Sequence, residues 1–269
     1  MVQSKSGPAR HGNAATTLLF EHPLAERVRS FLRLEAVLAE TRKRMAWTSA
    51  AGGRAALASL IELAAITERT ELKREILTEL DRQHLFLAQL ANSAEVDTKR
   101  LNQALYSLEQ VQSTIEAMPK RLGRMLKASE FLSTIQSRSM IPGGGCAFDL
   151  PALHYWLARP AADRQADLTC WLEELAPVEE ALAVLLGHIR EAAVPQPATA
   201  TGGIYEYSPP RENAPVLLRI MLDTGEELYP KVSGGRHRVT IQFEQWQGIG
   251  ERPELLRRDV KFTLAVCRL

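Results

Sequence analysis

The sequence predicts an α+β protein in which an N-terminal antiparallel helical bundle is followed by a small antiparallel β domain. The prediction rests on the spacing of apolar residues along the chain, which changes once. Up to about residue 192, apolar side chains recur every three or four positions, as in amphipathic helices. After residue 203 the period drops to two, as in β-strands. Residues 194–203, with two Pro, two Gly and no charge, read as the linker between them.

The predicted helices follow one another closely. A helical pattern begins at Leu18, and we expect Ala-Gly-Gly at 51–53 to end it. A shorter apolar helix follows over 55–66, and two longer amphipathic helices are predicted over 69–90 and 98–118. Such helices, joined by short polar turns, bury their apolar stripes on one another, which predicts an antiparallel bundle.

A glycine-rich segment over 141–151 interrupts the helices. Asp149 ahead of Pro151 indicates that a helix starts there, because a short acceptor caps free amides and Pro suits the first turn. Three more helices are predicted, over 151–158, 163–175 and 177–192.

Three strands are predicted in the last part of the chain, over 216–222, 238–243 and 262–266. The predicted organisation is a disordered tail, a helical domain that forms the dimer contact, and a β-strand domain. Their ranges are 1–17, 18–193 and 194–269.

Composition excludes several classes of protein. The 33 Lys and Arg against 32 Asp and Glu, in 269 residues, argue against a surface dedicated to nucleic acid or anionic lipid. No apolar run reaches the roughly 20 residues of a membrane span, so we expect no membrane insertion and a cytoplasmic location. Three cysteines without a CxxC pair, and six histidines without metal-binding spacing, predict neither disulfides nor a metal site. No cofactor is predicted.

A cysteine-dependent hydrolase is the alternative that the glycine segment raises. Cys146 follows three glycines, with Asp149 and His154 close in sequence, which resembles a thiol nucleophile with its base. However, no oxyanion-hole donor is identifiable, and the glycines lack the Gly-Lys-Ser/Thr of a phosphate loop. We therefore favour a structural turn.

Basic residues in the β domain give a second hypothesis. Arg236 and Arg238 share a strand face, opposite the apolar one, and Arg219 lies opposite the apolar face of its own strand. If the two strands belong to one sheet, all three guanidinium groups emerge on the same side. Arginine suits bidentate binding of carboxylates, so the cluster predicts an anionic partner. The alternative, a solvated face paired with Asp223 or Glu244, stays open.

Four motifs, in order along nearly the whole chain, resemble one known family. They are Leu19-Phe-Glu-His-Pro-Leu24 with Arg29 to Glu35, Glu79-Leu-Asp-Arg-Gln83, Ile141-Pro-Gly-Gly-Gly-Cys-Ala-Phe-Asp-Leu-Pro151 with His154 and Trp156, and Leu228-Tyr-Pro-Lys-Val-Ser-Gly234 with Arg238. The family is ZapD, the Z-ring-associated cell division proteins.

The resemblance implies a non-enzymatic dimeric scaffold with a helical and a β domain. ZapD proteins bind the C-terminal tail of the tubulin-like protein FtsZ, a short peptide of carboxylates and apolar side chains, and bundle FtsZ filaments at midcell. A basic pocket is a plausible receptor for such a tail. A nucleic-acid-binding scaffold is the other competing class, but basic runs interleaved with aromatics are absent.

The predicted partner-binding residues come from two sources. The resemblance carries Arg33, Arg69, His154 and Arg238 onto basic family positions. Charge and strand face add Arg138, Arg219, Lys231 and Arg236. A further basic position of the family aligns near Glu130, where Lys127 is the nearest cation.

Overall fold

The computed structural model describes residues 17–69, 71–91, 97–210, 214–223, 225, 227–234 and 238–268. They group into two compact units. One unit, Ala25–Glu191, is helical, and the other joins residues 17–24 to Ala192–Arg268 and is built from strands. The predicted α+β class is therefore confirmed. The predicted disordered tail lies, except for Thr17, outside the described residues.

Helices fill the first unit. Those described are α1 (Glu26–Met45), α2 (Ala50–Thr67), α3 (Leu72–Leu90), α4 (Thr98–Ala117), α5 (Arg124–Ala128), α6 (Glu130–Ser139), α7 (Pro151–Ala158), α8 (Ala161–Glu173) and α9 (Ala176–Glu191). The last helix packs on α1, α3 and α4 through an apolar face that includes Leu182, Leu185 and Ile189. This burial removes the apolar stripes from water and stabilises the bundle.

The break between α1 and α2 differs from the prediction. Gly52 and Gly53 lie inside the first turn of α2 rather than ending a helix, and the chain turns over residues 46–49. Ser49 caps α2, because its side-chain oxygen accepts a hydrogen bond from the Gly52 amide at 3.0 Å. A Cβ at Gly52 would lie 2.4 Å from the Trp47 Cβ, so this glycine permits a close approach of the turn.

Residues 18–24 were predicted to begin the helical pattern, and this was wrong. Thr17–Pro23 form strand β1, which pairs antiparallel with β4 (Leu217–Asp223) about 200 residues later, so that Phe20 lies opposite Ile220. The consecutive apolar residues of this segment fit either structure, and the distant pairing decides between them.

The remaining strands form two antiparallel sheets. They are β2 (Gln196–Ala200), β3 (Ile204–Tyr207), β5 (Leu228–Gly234), β6 (Val239–Gln245), β7 (Glu254–Leu255) and β8 (Val260–Cys267). The strand orders are β1-β4-β8-β2 and β3-β6-β5, and β7 pairs with β6. The segment 194–203, predicted to be a linker, therefore contains β2 and the turn into β3.

Both sheets contribute to one apolar core in the strand unit. Leu218 and Ile220 from β4 are buried in it with Ile241 and Phe243 from β6. Since side chains alternate along a strand, Arg219 lies on the opposite face of β4. The two strands belong to different sheets, so the condition under which Arg219 and Arg238 would share one sheet face is not met.

Helix α2 is the one described helix whose length and apolar composition fit a membrane span, and 44% of it is buried inside the protein. A core helix of a globular unit passes the same test. Contacts of α2 with α1, α5, α6, α7 and α8 give it such a core position.

Candidate functional site

Arg219 is held by a carboxylate of the neighbouring strand. Its Nε lies 3.0 Å from Glu21 Oε1, and the two residues are direct cross-strand partners in β4 and β1. Both side chains are largely buried, so this pair stabilises the pairing of the two strands. The partner is thus neither of the two acids, Asp223 and Glu244, that the sequence suggested.

Two more predicted site residues of the strand unit, Lys231 and Arg238, also have acidic partners. Lys231 Nζ lies 3.1 Å from Glu244 Oε1, and Arg238 forms an exposed ion pair with Glu206. The Tyr229 hydroxyl donates to Glu244 at 2.9 Å, and this bond together with Lys231 holds the pKa of the Glu244 carboxyl below its usual range. Exposed pairs contribute little stability, so Arg238 can exchange Glu206 for another carboxylate. Arg236 lies outside the described residues.

Arg33 and Arg69 lie at the C-terminal end of α2. Arg69 donates to Ser30 Oγ at 3.1 Å and to Glu75 Oε1 at 3.3 Å. Arg33 lies one turn beyond Ser30 on α1, is exposed, and has no ion pair in the described part of the chain.

A basic cavity of ≈ 250 Å³ opens at the same end of α2. Arg121, Arg124 and Lys127 line it together with Glu68. Lys127 forms an ion pair with Glu68, and this hydrogen-bonded contact, with the charges of Lys127 and Arg121, lowers the pKa of the Glu68 carboxyl. The sequence analysis missed Arg121 and Arg124, although four cations within residues 120–127 were a visible signal.

The glycine segment is a compact series of turns between α6 and α7. The Ile141 amide donates to the Arg138 carbonyl at 3.0 Å, and the Gly144 amide donates to the Ile141 carbonyl at 2.9 Å. Gly143 has φ +76°, and a Cβ at Gly144 would lie 2.2 Å from the Arg138 carbonyl oxygen. The turn geometry accounts for these glycines, and no described hydrogen bond joins Cys146 to His154.

Exposed cations and apolar side chains surround this turn. We define the glycine-turn patch as Arg54, Arg138, Met140, Ile141, Phe148, His154 and Tyr155, all of which are exposed. Met140 and Phe148 are 83% and 84% exposed, which is unusual for large apolar residues. Within the described residues, the three basic members have no acidic partner. The patch therefore combines unpaired positive charge with apolar surface.

Arg54 is a member of the patch that the sequence analysis missed. Its Nη1 lies 3.4 Å from the position that a Cβ on Gly145 would occupy. The two residues are 91 positions apart, so no local sequence pattern indicates the contact.

The candidate site residues of the helical unit stand near opposite ends of α2. Arg54 stands in the first turns of α2, whereas Arg69 follows its last residue. At 1.5 Å per residue the two positions are about 20 Å apart along the helix axis. Arg138 and His154 thus flank the glycine segment that Arg54 contacts, whereas Arg69 and Arg33 lie near the other end of α2. Among the described residues, no group of three or more His, Cys, Asp or Glu is arranged to hold a metal ion.

Comparison with known proteins identifies the family. The ZapD family model, described as a cell division protein, matches residues 32–242. The chain belongs to the ZapD family. Relatives named cell division protein ZapD include that of Aromatoleum aromaticum, which is 34% identical over 95% of this chain and 99% of its own length. The ZapD of Klebsiella pneumoniae is 36% identical over 85% of this chain and 91% of its own length.

ZapD membership establishes a cell division role, and the relatives' names indicate no enzymatic activity. The structure explains one of the segments that carried the resemblance. In Glu79–Gln83, the Glu79 side chain is 1% exposed and lies between Arg27 and Arg82. This segment therefore stabilises the helical unit.

Proposed function

We propose that this ZapD family member binds the C-terminal tail of FtsZ and, as a dimer, cross-links and bundles FtsZ filaments in the Z-ring at midcell. The observation that carries the proposal is the glycine-turn patch, where Arg54, Arg138 and His154 have no acidic partner among the described residues. The guanidinium groups of Arg54 and Arg138 can attract an acidic segment without first breaking an internal ion pair. The exposed apolar residues beside them suit a peptide that mixes carboxylates with apolar side chains.

Arg33, Arg69 and Arg238 remain partner-binding residues of the proposal on the strength of the resemblance, and Arg219, Lys231 and Arg236 on charge and strand face. Arg69, Arg219, Lys231 and Arg238 already contact carboxylates, so we rank these four below the patch. Arg33 is exposed and has no ion pair among the described residues, so it stays an alternative contact.

The proposed dimer surface lies on the antiparallel pair α3 and α4. Hydrogen bonds from His84 to Glu109 and from Gln112 to Asp81 set the register of this pair. In that register, Leu85 of α3 and Tyr106 of α4 lie at nearly the same height along the axis of the helix pair. Their side chains are 64% and 63% exposed. A second copy that covers these residues would remove their apolar surface from water.

A dimer converts weak tail contacts into durable cross-links. Each dimer has two equivalent tail sites, and a filament displays many tails. Once one tail is bound, the second contact is intramolecular, and avidity exceeds the single affinity by about 10²–10⁴-fold. Bundling therefore needs both the patch and the dimer.

A pelleting assay with full-length FtsZ and with FtsZ that lacks its tail tests the proposed partner. We expect co-sedimentation with the first and none with the second. Arg138→Glu should abolish co-sedimentation because it replaces an unpaired cation by a repelling carboxylate. Arg74→Glu, on the exposed surface of α3, is the matched control. If Arg33→Glu abolishes binding and Arg138→Glu does not, the tail binds at the opposite end of α2.

Light scattering tests the dimer. We expect twice the chain mass at micromolar concentration, and a single mass for Tyr106→Glu, which places a charge on the proposed contact. A wild-type protein of single mass would contradict this part of the proposal.

A further inference from the structure

The helices on either side of the glycine turn also carry an aromatic cavity. It is lined by Phe131, Trp156, Asp167, Cys170 and Trp171, and its volume is ≈ 380 Å³. The rings of Phe131 and Trp171 are stacked, with planes 5° apart and centroids 6.0 Å apart. Trp156 lies at the same distance from Phe131, tilted by 48°. Helices α6, α7 and α8 thus present three aromatic rings around one opening.

The electrostatics of this cavity favour an apolar ligand group. Asp167 is its charged lining residue, and its carboxylate already accepts a hydrogen bond from Trp156 Nε1 at 2.9 Å and pairs with Arg159. A cationic ligand would have to compete with Arg159, and an anionic one would meet Asp167. Aromatic rings gain most from a group that buries apolar area against them.

The distance between the cavity and the patch allows one short extended peptide to contact both. Phe131 and Arg138 lie on the same face of α6, seven residues apart, which is about 10.5 Å at 1.5 Å per residue. An extended peptide covers about 10 Å in three residues. If a carboxylate of an extended peptide binds Arg138, the peptide side chain about three residues along the peptide lies at the aromatic cavity.

We propose that the aromatic cavity receives an apolar side chain of the same acidic peptide that binds the glycine-turn patch. The inference rests on the proposed function and adds to it a second contact point and a spacing of about three residues between carboxylate and apolar side chain. Buried aromatic anchors carry much of the affinity of peptide interfaces, whereas exposed charges mainly steer association.

Cys170 gives a direct measurement, because it is exposed and lines the cavity. Cys146 is the other exposed cysteine and Cys267 is buried, so Cys146→Ser leaves Cys170 as the accessible thiol. In this variant, the rate of thiol modification by dithionitrobenzoate is measured with and without a saturating synthetic FtsZ tail peptide. We expect at least fivefold slower modification in the complex. Peptide binding, seen by anisotropy, with an unchanged modification rate would overturn the inference.

Variants separate the inference from the proposed function. Trp171→Ala should weaken peptide binding about tenfold, as expected for an aromatic anchor. Trp246→Ala, an exposed tryptophan in the strand unit, should leave it unchanged. Replacing the peptide's apolar side chains by Ala should lower affinity for the wild type, with no further loss in Trp171→Ala.

Each outcome decides between the two ideas. Binding that depends on Arg138 but not on Trp171 overturns the aromatic site alone. A wild-type protein that does not bind the peptide contradicts the proposed function and the inference together. Circular dichroism of Trp171→Ala checks that the helices stay intact.

Discussion

Gly144 and Gly187 occupy opposite environments. A Cβ at Gly144 would lie 2.2 Å from the Arg138 carbonyl oxygen, whereas one at Gly187, inside α9, would meet nothing within 4 Å. Gly144 allows the close turn next to Arg138. Gly187 has no such steric role, and it destabilises α9 because glycine loses more backbone freedom on folding than other residues do.

These environments predict opposite effects of the same substitution. Gly144→Ala should lower the free energy of unfolding by about 2 kcal/mol, because the turn must shift. Gly187→Ala should raise it by about 0.5–1 kcal/mol through helix propensity. Urea denaturation measures both. An unchanged midpoint for Gly144→Ala would show that the turn tolerates a side chain.

At the residue scale, the sequence shows where basic residues stand along the chain but not what they contact. Arg138 and His154 flank a recognisable glycine segment, so their place at the turn follows from local pattern. Glu21, the partner of Arg219, is 198 residues away. The pairing of β1 with β4 creates that contact, and no local pattern contains it.

At the scale of elements, a buried polar network joins three helices. Arg27 of α1 has its Nε 2.7 Å from Glu79 of α3, and Arg82 Nε donates to the same carboxylate at 2.8 Å. Gln83 donates to Glu79 and to the Leu185 carbonyl of α9, and it contacts His188 Nδ1 at 3.1 Å. Burial lowers the pKa of His188 and so favours the neutral ring in this network. The charge of Glu191 offsets part of this effect.

Removing the central carboxylate should therefore be costly. Glu79→Ala removes the carboxylate that Arg27, Arg82 and Gln83 share, and because both arginines are partly exposed we expect a loss of about 2 kcal/mol. Glu109→Ala, which removes an exposed partner of His84, should change stability by less than about 0.5 kcal/mol. Chemical denaturation compares the two, and equal losses would contradict a central role for Glu79.

Strand position explains which strands the sequence predicted. The three predicted strands correspond to β4, β6 and β8, which are the central ones. Buried positions alternate along β6 and along most of β4 and β8. Of the missed strands, β7 has only two residues, and β1, β2, β3 and β5 lie at sheet edges. Three of these four contain a proline, which edges tolerate. Weak alternation at an edge leaves little signal in sequence.

At the scale of the whole molecule, we propose that stability and binding depend on different charges. Glu79 and Glu21 compensate cations inside the two units, whereas Arg54, Arg138 and His154 stay unpaired among the described residues. Exposed positive charges without acidic partners repel one another, and a bound acidic peptide reduces this repulsion. A sequence shows the number of cations, here nearly balanced by acids, but not which of them the fold leaves unpaired.

A charge exchange between the two proteins tests this assignment most directly. Tail-peptide binding is measured by fluorescence anisotropy for the wild type and for Arg138→Glu, with the natural FtsZ tail and with a tail whose acidic residues are changed one at a time to Lys. We expect Arg138→Glu to lose binding of the natural tail and to regain binding with one of the Lys-substituted tails. Wild-type affinity of Arg138→Glu for the natural tail would contradict it.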